Sequence, residues 1–446
     1  MFDVSTASLI IVLLLGLVLL GFHVAVALGI TSAIGIYLVT GKLRIVEATL
    51  ASTSAEALRD FTFAVIPLFM LMGEFIGRSG AITDIYVAIN KGLKRIPARL
   101  AIATVLGNTV FSFVTGVSIA SAAAFSRIAY PEMRAHRYNR GFALGAIAGS
   151  SCLGMLIPPS VLMIVWGILT EQSIGKLFLA GVLPGILLAT LFIVYIIGIA
   201  IFRPDIVGEG PNAVEIDPEL DTTKADLPPI KLFTSMLGVF GIIAAVLGGI
   251  WFGIFTPTEG AGAGAALALL LAFLKGMNWR GFIDAIYSVG KTAAPILILL
   301  LAAALYSRTL AMTGVTSAIR NFFVDSGLDP YMVLAIIIGV WFILGMIIDS
   351  ISIMLLTVPI VEPVAMAFGF DQLSFAIVGI IAIEAGLLTP PFGLLVYTVK
   401  AAINDDEVGV QSIFLASIPY WGIMLFTVLM IIAFPQISNL LPNILM

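Results

Sequence analysis

Long uncharged runs dominate the pattern of hydrophobic and polar positions along this chain. Five long examples each exceed the roughly 20 residues that cross the hydrocarbon core of a bilayer. These runs cover residues 4–41, 141–170, 177–202, 232–258 and 408–446. Further apolar segments lie around residues 61–77, 101–126, 281–307, 330–361 and 372–399. The pattern predicts on the order of a dozen membrane-embedded helical segments, and therefore an all-α polytopic membrane protein.

Composition excludes the main soluble classes. Of the 446 residues, 60% are hydrophobic and 11% are charged, whereas soluble domains contain about 25% charged residues. Two histidines and one cysteine are too few for a histidine metal cluster or an internal disulfide. The chain has no Gly-rich phosphate loop and no basic stripe, so ATP hydrolysis and nucleic-acid binding lack their usual signatures.

The prolines indicate an internal duplication. A strongly polar stretch, residues 203–231, has seven acidic and three basic residues and is predicted to be an exposed linker between residues 1–202 and 232–446. Prolines on either side of it recur at offsets of 228 to 235 residues. The matched positions are Pro67 with Pro295, Pro97 with Pro330, Pro131 with Pro359, Pro158-Pro159 with Pro390-Pro391, and Pro184 with Pro419. A fixed period of this kind is typical of a repeated structural unit.

The two halves carry opposite charge. Residues 1–202 have 13 basic and 8 acidic residues, a net charge of +5, while residues 235–446 have 6 basic and 11 acidic residues, a net charge of −5. The basic residues of the first half cluster around Pro97 and Pro131, and the matching loops of the second half are acidic. By the positive-inside rule, equivalent loops then face opposite sides of the membrane, which predicts two inverted-topology repeats.

Each repeat is predicted to contain a re-entrant hairpin. Residues 97–131 lie between two basic loops, and each arm of about 16 residues spans roughly 24 Å, too short for a full crossing. The arms meet at Thr115-Gly116-Val117-Ser118, where small polar residues favour a turn. The equivalent hairpin, residues 330–362, turns near Gly345 and has Asp349 near mid-depth. Hairpins entering from opposite faces would meet near the membrane centre.

A broken helix follows each hairpin, over residues 141–172 and 372–400. The double prolines Pro158-Pro159 and Pro390-Pro391 remove backbone donors and interrupt the helix. Carbonyl groups freed at bilayer depth need protein, water or a cation as partner. A half-helix that begins at the break points its positive N-terminal end toward an anionic substrate.

Two carboxylates, Asp349 and Glu384, lie inside apolar runs and are candidate functional residues. At the proline offsets their first-half counterparts are Ser121 and Cys152. Carboxylate, hydroxyl and carbonyl oxygens suit a hard cation such as Na⁺, and a carboxylate alone can carry a proton. A structural acid with a polar partner is an alternative for Glu384.

At these positions the chain resembles the large membrane subunit of TRAP transporters, the tripartite ATP-independent periplasmic systems. The resemblance extends over essentially the whole chain. It rests on residues 149–160, on Phe255-Thr256-Pro257-Thr258-Glu259, on Gly345 with Asp349 and Pro359, on residues 177–185 and on residues 386–394. It implies the fold of the ion transporter superfamily and an elevator mechanism. The transport domain would then comprise residues 97–172 and 330–400, and the remainder would form the scaffold.

The resemblance also implies a function and a site. The expected activity is Na⁺-coupled import of a small organic acid anion by a multi-pass protein of the bacterial inner membrane, without an organic cofactor. The expected partners are a periplasmic substrate-binding protein, a small four-helix membrane subunit and membrane lipid. Sodium sites carry over to Gly116, Ser118, Ser150, Ser151, Gly345, Asp349, Gly386 and Thr389. Substrate contacts are expected at Thr115, Ser118, Ser121, Pro158, Ser350, Glu384 and Pro390.

Two other functions compete with this interpretation. A stand-alone cation-coupled anion symporter, driven by Na⁺ or H⁺, would need no binding protein. An intramembrane aspartyl hydrolase would need Asp349 and Glu384 within hydrogen-bonding range and a path for water. The sequence leaves the substrate open among dicarboxylates, keto acids, sugar acids and sulfonates. It also leaves open the Na⁺ stoichiometry and the oligomeric state.

Overall fold

The computed structural model describes residues 4–208, 228–403 and 405–446, and within these ranges the regular elements are helices. The first half contains α1 (Val4–Leu19), α2 (Val24–Thr40), α3 (Leu43–Arg59), α4 (Val65–Arg78), α5 (Ala81–Gly92), α6 (Arg99–Thr115), α7 (Ser118–Ile128), α8 (Tyr130–Ala135), α9 (Arg140–Ser151), α10 (Leu153–Leu156), α11 (Val161–Thr170) and α12 (Ile174–Phe202). The second half contains α13 (Pro229–Trp251), α14 (Pro257–Leu274), α15 (Trp279–Thr313), α16 (Val315–Asp325), α17 (Pro330–Gly345), α18 (Ser350–Ala367), α19 (Gln372–Gly386), α20 (Leu394–Ala402), α21 (Val410–Ala433) and α22 (Gln436–Leu445). Short 3₁₀ helices occupy Phe61–Ala64 and Pro204–Val207.

Eight helical stretches of the described chain are long and apolar enough to cross a bilayer. They are Phe61–Arg78, Arg140–Thr170, Ile174–Phe202, Ile230–Trp251, Pro257–Leu274, Trp279–Thr313, Ser350–Ala367 and Val410–Ala433. Together with the shorter apolar helices they confirm the predicted all-α polytopic membrane architecture. The predicted polar linker, residues 203–231, lies for the most part outside the described residues.

Local sequence signals fix several helix ends. The Thr256 hydroxyl accepts a hydrogen bond from the Glu259 amide, and the Glu259 carboxylate accepts one from the Thr256 amide, forming a capping box at the start of α14. These two hydrogen bonds provide acceptors for amide groups that have no partner within the helix. Such a reciprocal arrangement favours helix initiation. At the C-terminus of α2, Gly41 adopts a left-handed backbone conformation and ends the helix. Gly is suited to this position because it has no Cβ to clash.

A network of polar contacts ties many helix ends together on one side of the molecule, here called the basic face. The N-terminus of α6 is joined to the end of α8 by Arg99 and His136, whose Nη2 and Nε2 atoms are 2.9 Å apart. The amide of Asn139, before α9, donates to the Ile206 carbonyl just beyond α12 at 2.8 Å. Arg140 on α9 pairs with Glu407, just before α21. Helices α6, α9 and α21 therefore begin at this face.

Asp405 is the buried centre of this network. Its Oδ2 accepts a 2.6 Å hydrogen bond from the Tyr130 hydroxyl and lies 3.3 Å from Arg134 Nη1. The Tyr130 hydrogen bond, together with Arg134 and Arg140, holds the pKa of the Asp405 carboxyl below its usual value. The loop between α20 and α21 is therefore anchored to α8 on the basic face.

A second buried ion pair extends the basic face to α5, α13 and α14. Asp84 on α5 lies 2.6 Å from Lys275 Nζ, at the end of α14, and 3.7 Å from Lys231 Nζ, at the start of α13. Asn90, further along α5, donates a 2.9 Å hydrogen bond to Glu132 on α8. Because α14 ends here, α15 starts from the same face.

Two groups of helices emerge from the close contacts. In one, α14 packs on α4 and α2 packs on α15, where Gly264 faces Met72 and Gly35 faces Thr309. In the other, α9 packs so closely on α21 that a Cβ at Gly145 would lie 2.6 Å from the Ala416 carbonyl oxygen. The second group includes both hairpins and both helix breaks, and therefore all of the predicted site residues; its α6 also meets α4 of the first group, where a Cβ at Gly73 would lie 2.7 Å from the Val114 carbonyl oxygen.

Candidate cation and substrate site

The first hairpin turns in two residues, between α6 and α7. Gly116 has φ +63° and ends α6, and Val117 precedes α7. A Cβ at Gly116 would collide with the carbonyl oxygen of Pro159, so the tip lies directly on the first double proline. The Val161 amide, at the start of α11, donates to the Gly116 carbonyl at 3.1 Å. The tip and the helix break thus satisfy each other's backbone groups.

The second hairpin reproduces this arrangement with a longer turn. Its helix α17 ends at Gly345, and Asp349 caps α18. A Cβ at Gly345 would lie 2.6 Å from the Ile383 carbonyl oxygen and 2.8 Å from Gly386 Cα, so α17 and α19 meet backbone to backbone. The Phe392 amide donates to the Met346 carbonyl at 3.1 Å, which joins this tip to the second break.

Each break separates two helices that lie end to end. The first separates α9 and α10 from α11, and the second separates α19 from α20. Both Pro158-Pro159 and Pro390-Pro391 contain a cis peptide bond. The two breaks differ in exposure, because the first proline pair is buried and the second is exposed.

Glu384 lies where the two hairpin tips approach each other. Its side chain is 1% exposed, and its Oε1 accepts a 2.6 Å hydrogen bond from the Ser350 hydroxyl at the start of α18. Ser118, at the start of α7, lies near the same carboxylate, although no hydrogen bond joins the two side chains in the described chain. The backbone carbonyl of Glu384 is 3.9 Å from the Cys152 thiol at the first break. One carboxylate thus contacts elements of both halves.

The Glu384 carboxylate is only half satisfied by the described part of the chain. Its Oε2 atom is buried and accepts no hydrogen bond there, and no ion pair involves it among the described residues. A buried carboxylate without a basic partner is costly in the ionised form, so it needs a proton or a cation. The second oxygen is therefore a candidate position for a proton or a cation.

Asp349 directly precedes Ser350 but has a different hydrogen-bond partner. Its Oδ1 accepts a 3.0 Å hydrogen bond from the Ser352 amide, and the side chain is half-buried. It lines a cavity of about 490 Å³ with Gly345, Met346, Phe392 and others. Among the described residues no hydrogen bond joins Asp349 to Glu384. The paired-carboxylate geometry that a hydrolase would need is absent from this part of the chain.

Most of the predicted hydroxyl residues surround the tips and breaks and bond back to their own helices. Their oxygens keep lone pairs free for a further ligand. The hydroxyl donors and their carbonyl acceptors are Thr115 to Phe111 (3.0 Å), Ser150 to Ala146 (2.6 Å), Ser151 to Ala148 (2.7 Å) and Thr389 to Ala385 (2.9 Å). Ser121 is buried beside Gly154, and its hydroxyl has no partner among the described residues.

Sequence reasoning missed Asn108. This side chain is fully buried in α6 and donates a 2.7 Å hydrogen bond from Nδ2 to Ser150 Oγ, while its own Oδ1 accepts none in the described chain. It joins the first hairpin to the first break beside the predicted sodium residues. The available signal was an amide side chain inside an apolar run, a residue type that is rare and often functional at bilayer depth.

The proline offsets used in the sequence analysis align the second helices of the two hairpins, α7 and α18, incorrectly. Ser118 and Ser350 begin equivalent hairpin helices at an offset of 232, the same offset as the two double prolines. Asp349 therefore matches Val117 rather than Ser121, and Pro131 matches Pro363 rather than Pro359. Since α18 continues through Pro359 and Pro363 to Ala367, the second hairpin also extends beyond the predicted residue 362.

Comparison with known proteins identifies relatives of the whole chain. The family model described as "Tripartite ATP-independent periplasmic transporter, DctM component" matches residues 11–437. The chain is 30% identical over 397 residues to the C4-dicarboxylate TRAP transporter large permease protein DctM of Pseudomonas aeruginosa, and the match covers 89% of each chain. It is 28% identical over 441 residues to the ectoine TRAP transporter large permease protein TeaC of Halomonas elongata, covering 98% of this chain and 99% of the relative.

A solved structure supports the same fold. The YdaH transporter of Alcanivorax borkumensis, whose crystal structure is described as having an unusual topology, matches with a TM-score of 0.63 over 90% of both chains. The sequences are 13% identical, so this similarity concerns the fold alone.

Proposed function

This chain belongs to the DctM component family of the tripartite ATP-independent periplasmic transporters, and from that membership we propose that it imports a small organic acid anion with Na⁺. It is a membrane transport protein rather than an enzyme. The proposed location is the bacterial inner membrane.

The observation that carries Na⁺ coupling is the Glu384 carboxylate held between the two hairpin tips. Ser350 satisfies one carboxylate oxygen, and the other is buried without a described partner. Hydroxyl and carbonyl oxygens at both tips supply the hard neutral ligands that Na⁺ accepts, and a carboxylate supplies the charge. We propose that Glu384 supplies the charge of a Na⁺ site between the tips that includes Gly116, Ser118, Ser150 and Ser151, and we assign Gly345, Asp349, Gly386 and Thr389 to a second Na⁺ site.

The substrate is proposed to bind between the tips and the starts of the half-helices. A peptide dipole that points into the site favours an anionic group there. The names of relatives at similar identity cover both C4-dicarboxylates and ectoine, so sequence similarity does not select one compound. The proposed partners are a periplasmic binding protein that delivers the anion and a small four-helix membrane subunit.

An inverted orientation of the two repeats is supported by the basic face. Helices α6 and α9 begin there, and α20 ends there, where Lys400 bonds to the Asp405 carbonyl at 2.7 Å. Since α19 and α20 cross in the opposite direction to α9 and α11, we propose that the second hairpin opens to the other face. The basic face would be cytoplasmic by the positive-inside rule.

An elevator movement is proposed with altered boundaries. The sequence interpretation put residues 177–202 and 413–434 in the scaffold. Yet α12 packs on the first break, where a Cβ at Gly181 would lie 2.6 Å from the Leu156 carbonyl oxygen, and α21 packs equally closely on α9. Backbone contacts this close resist sliding. We therefore place α12 and α21 in the moving body. The proposed scaffold comprises α1–α5 and α13–α16, and its α4 must separate from the first hairpin during the movement, because a Cβ at Gly73 would lie 2.7 Å from the Val114 carbonyl oxygen in this conformation.

Reconstitution tests this function against the stand-alone symporter. The purified complex with its co-encoded small subunit is placed in liposomes, and uptake of radiolabelled organic acids is measured with and without the co-encoded binding protein. We expect uptake of at least one acid, dependent on both an inward Na⁺ gradient and the binding protein. Uptake that ignores the binding protein favours the stand-alone symporter, and uptake that ignores Na⁺ contradicts the proposed coupling.

Asp349→Asn tests the second Na⁺ site in the same assay, with Asp371→Asn as its matched control. Both aspartates cap a helix by accepting a hydrogen bond from the amide three residues on, at 3.0 Å for Asp349 and 2.7 Å for Asp371. Asparagine is also a good cap, so each variant removes charge while keeping the helix start. We expect Asp349→Asn to need several-fold more Na⁺ for half-maximal uptake. Equal Na⁺ dependence in the two variants would refute the assignment.

A further inference from the structure

A cavity of about 560 Å³ lies between the first hairpin and two helices of the proposed scaffold. Its walls come from α4, α6, α7 and α15, and its polar groups are few. They include the hydroxyls of Thr115, Ser288 and Thr292 and the charged side chains of Glu74, Arg78 and Arg127. A volume of this size is typical of a site for a small organic molecule.

The cavity runs from the basic face toward the hairpin tip. Arg127 is near the end of α7 that leads to the basic face, and Val117 lies at the tip. Ten residues of helix separate these two lining positions by roughly 15 Å. Ser118, adjacent to Val117, is the residue that lies near Glu384. The inner end of the cavity thus lies at the hairpin tip that carries Ser118.

Arg127 gives the cavity an unbalanced positive charge. Arg78 is neutralised within the cavity, because its Nε lies 2.6 Å from Glu74 Oε1. Arg127 is exposed and makes no ion pair or hydrogen bond with the described part of the chain. The neighbouring cavity that Arg127 also lines contains Arg134, which is held by Asp405 at 3.3 Å. Among the described arginines that line these two cavities, Arg127 is therefore the one whose guanidinium is available to bind a ligand.

We propose that Arg127 binds the acidic group of the substrate in this cavity, as the anion passes between the hairpin site and the basic face. This inference rests on the proposed function. A guanidinium binds carboxylates and sulfonates through two parallel hydrogen bonds. With one net positive charge and three hydroxyls along the walls, the cavity suits an organic acid that presents one acidic group and carries hydroxyl or keto oxygens.

Uptake by charge variants is the first test. In the reconstituted complex, Arg127→Gln is expected to reduce uptake about tenfold, since a hydrogen bond to a charged group is lost. Arg127→Lys keeps the charge but not the two-point geometry and is expected to recover part of the loss. Arg95→Gln is the matched control, because Arg95 is exposed in a loop of the same face and does not line the cavity. It is expected to transport like the unmodified protein.

Thiol labelling tests the electrostatic claim without requiring transport. Ala120 is exposed and lines the cavity seven residues before Arg127, roughly 10 Å away along α7. Ala120→Cys is labelled from the basic face with an anionic and a cationic methanethiosulfonate reagent at low salt. The buried native Cys152 supplies the background measured without the added thiol. Removing Arg127 in this variant is expected to lower the anion-to-cation rate ratio about fourfold, as Coulomb's law gives for unit charges about 10 Å apart in water.

The outcomes distinguish failure of the proposed transport function from failure of the proposed role of Arg127. If the unmodified complex transports no acid of the panel but Arg127 still sets the labelling ratio, the proposed function fails and the anion-attracting cavity stands. If the unmodified complex transports while Arg127→Gln matches Arg95→Gln in uptake and leaves the labelling ratio unchanged, the role of Arg127 is overturned. Protection of Ala120→Cys from labelling by the transported acid, lost in Arg127→Gln, would support binding in the cavity.

Discussion

Glu384→Gln is expected to reduce Na⁺-dependent uptake at least a hundredfold while leaving the protein folded. The side chain is buried, its Oε1 accepts from Ser350 at 2.6 Å, and it lies near Ser118. Glutamine has nearly the same shape and keeps an oxygen that can accept from Ser350. It removes the negative charge that a cation needs at this depth, so coupling fails although packing is retained.

Glu362→Gln is the control for this variant. Glu362 lies on the same hairpin, on α18, but accepts a 3.0 Å hydrogen bond from Gln372 near the end of the helix, away from the tip. Uptake at saturating Na⁺ and the amount of folded, monodisperse protein are measured for both variants. Glu384→Gln with uptake within twofold of Glu362→Gln would show that the carboxylate has a structural role only.

The helical architecture could be predicted because membrane insertion makes the signal strong. An uncharged run longer than a bilayer crossing has few alternatives to a helix, since every backbone group must be satisfied within the membrane. The hairpins and breaks were also accessible, because Pro158-Pro159 and Pro390-Pro391 cannot continue a regular helix and Gly116 permits a tight turn. In these cases a local chemical property decides the structure.

The arrangement within the candidate site depended on contacts between distant segments. Asp349 and Glu384 were both predicted to be functional residues, since both lie inside apolar runs. The structure distinguishes them by their partners: Asp349 caps its own helix, whereas Glu384 binds Ser350 of the second hairpin and lies near Ser118 of the first. Those partners depend on how three helices, α7, α18 and α19, come together, which spacing along one chain does not encode.

A constant sequence offset between the two repeats was also of limited use for matching equivalent residues. The first hairpin turns through Gly116 and Val117, whereas the second turns through residues 346–349, so equivalent residues do not keep one offset. Asn108 and Arg127 were missed for a related reason. Neither belongs to a motif, and each matters only because of what lies across from it, Ser150 for Asn108 and the cavity for Arg127.

Gly345→Ala is expected to abolish transport and to lower the yield of folded protein several-fold. A methyl group at this position would lie 2.6 Å from the Ile383 carbonyl oxygen and 2.8 Å from Gly386 Cα. Both neighbours are backbone atoms, which cannot swing away as a flexible side chain can, so α17 must separate from α19. Overpacking of this kind typically costs about 1–3 kcal/mol.

Gly339→Ala on the same helix separates this effect from helix propensity. A methyl group at Gly339 would meet nothing within 4 Å, so alanine there favours the helix by roughly 1 kcal/mol. Thermal stability and uptake are measured for both variants in the assembled complex. We expect Gly339→Ala to be at least as stable as the unmodified protein and to transport normally. If Gly345→Ala behaves in the same way, the tip does not need to lie against the break. If it folds normally but does not transport, the contact serves the site directly, because separating α17 from α19 moves Ser350 away from Glu384.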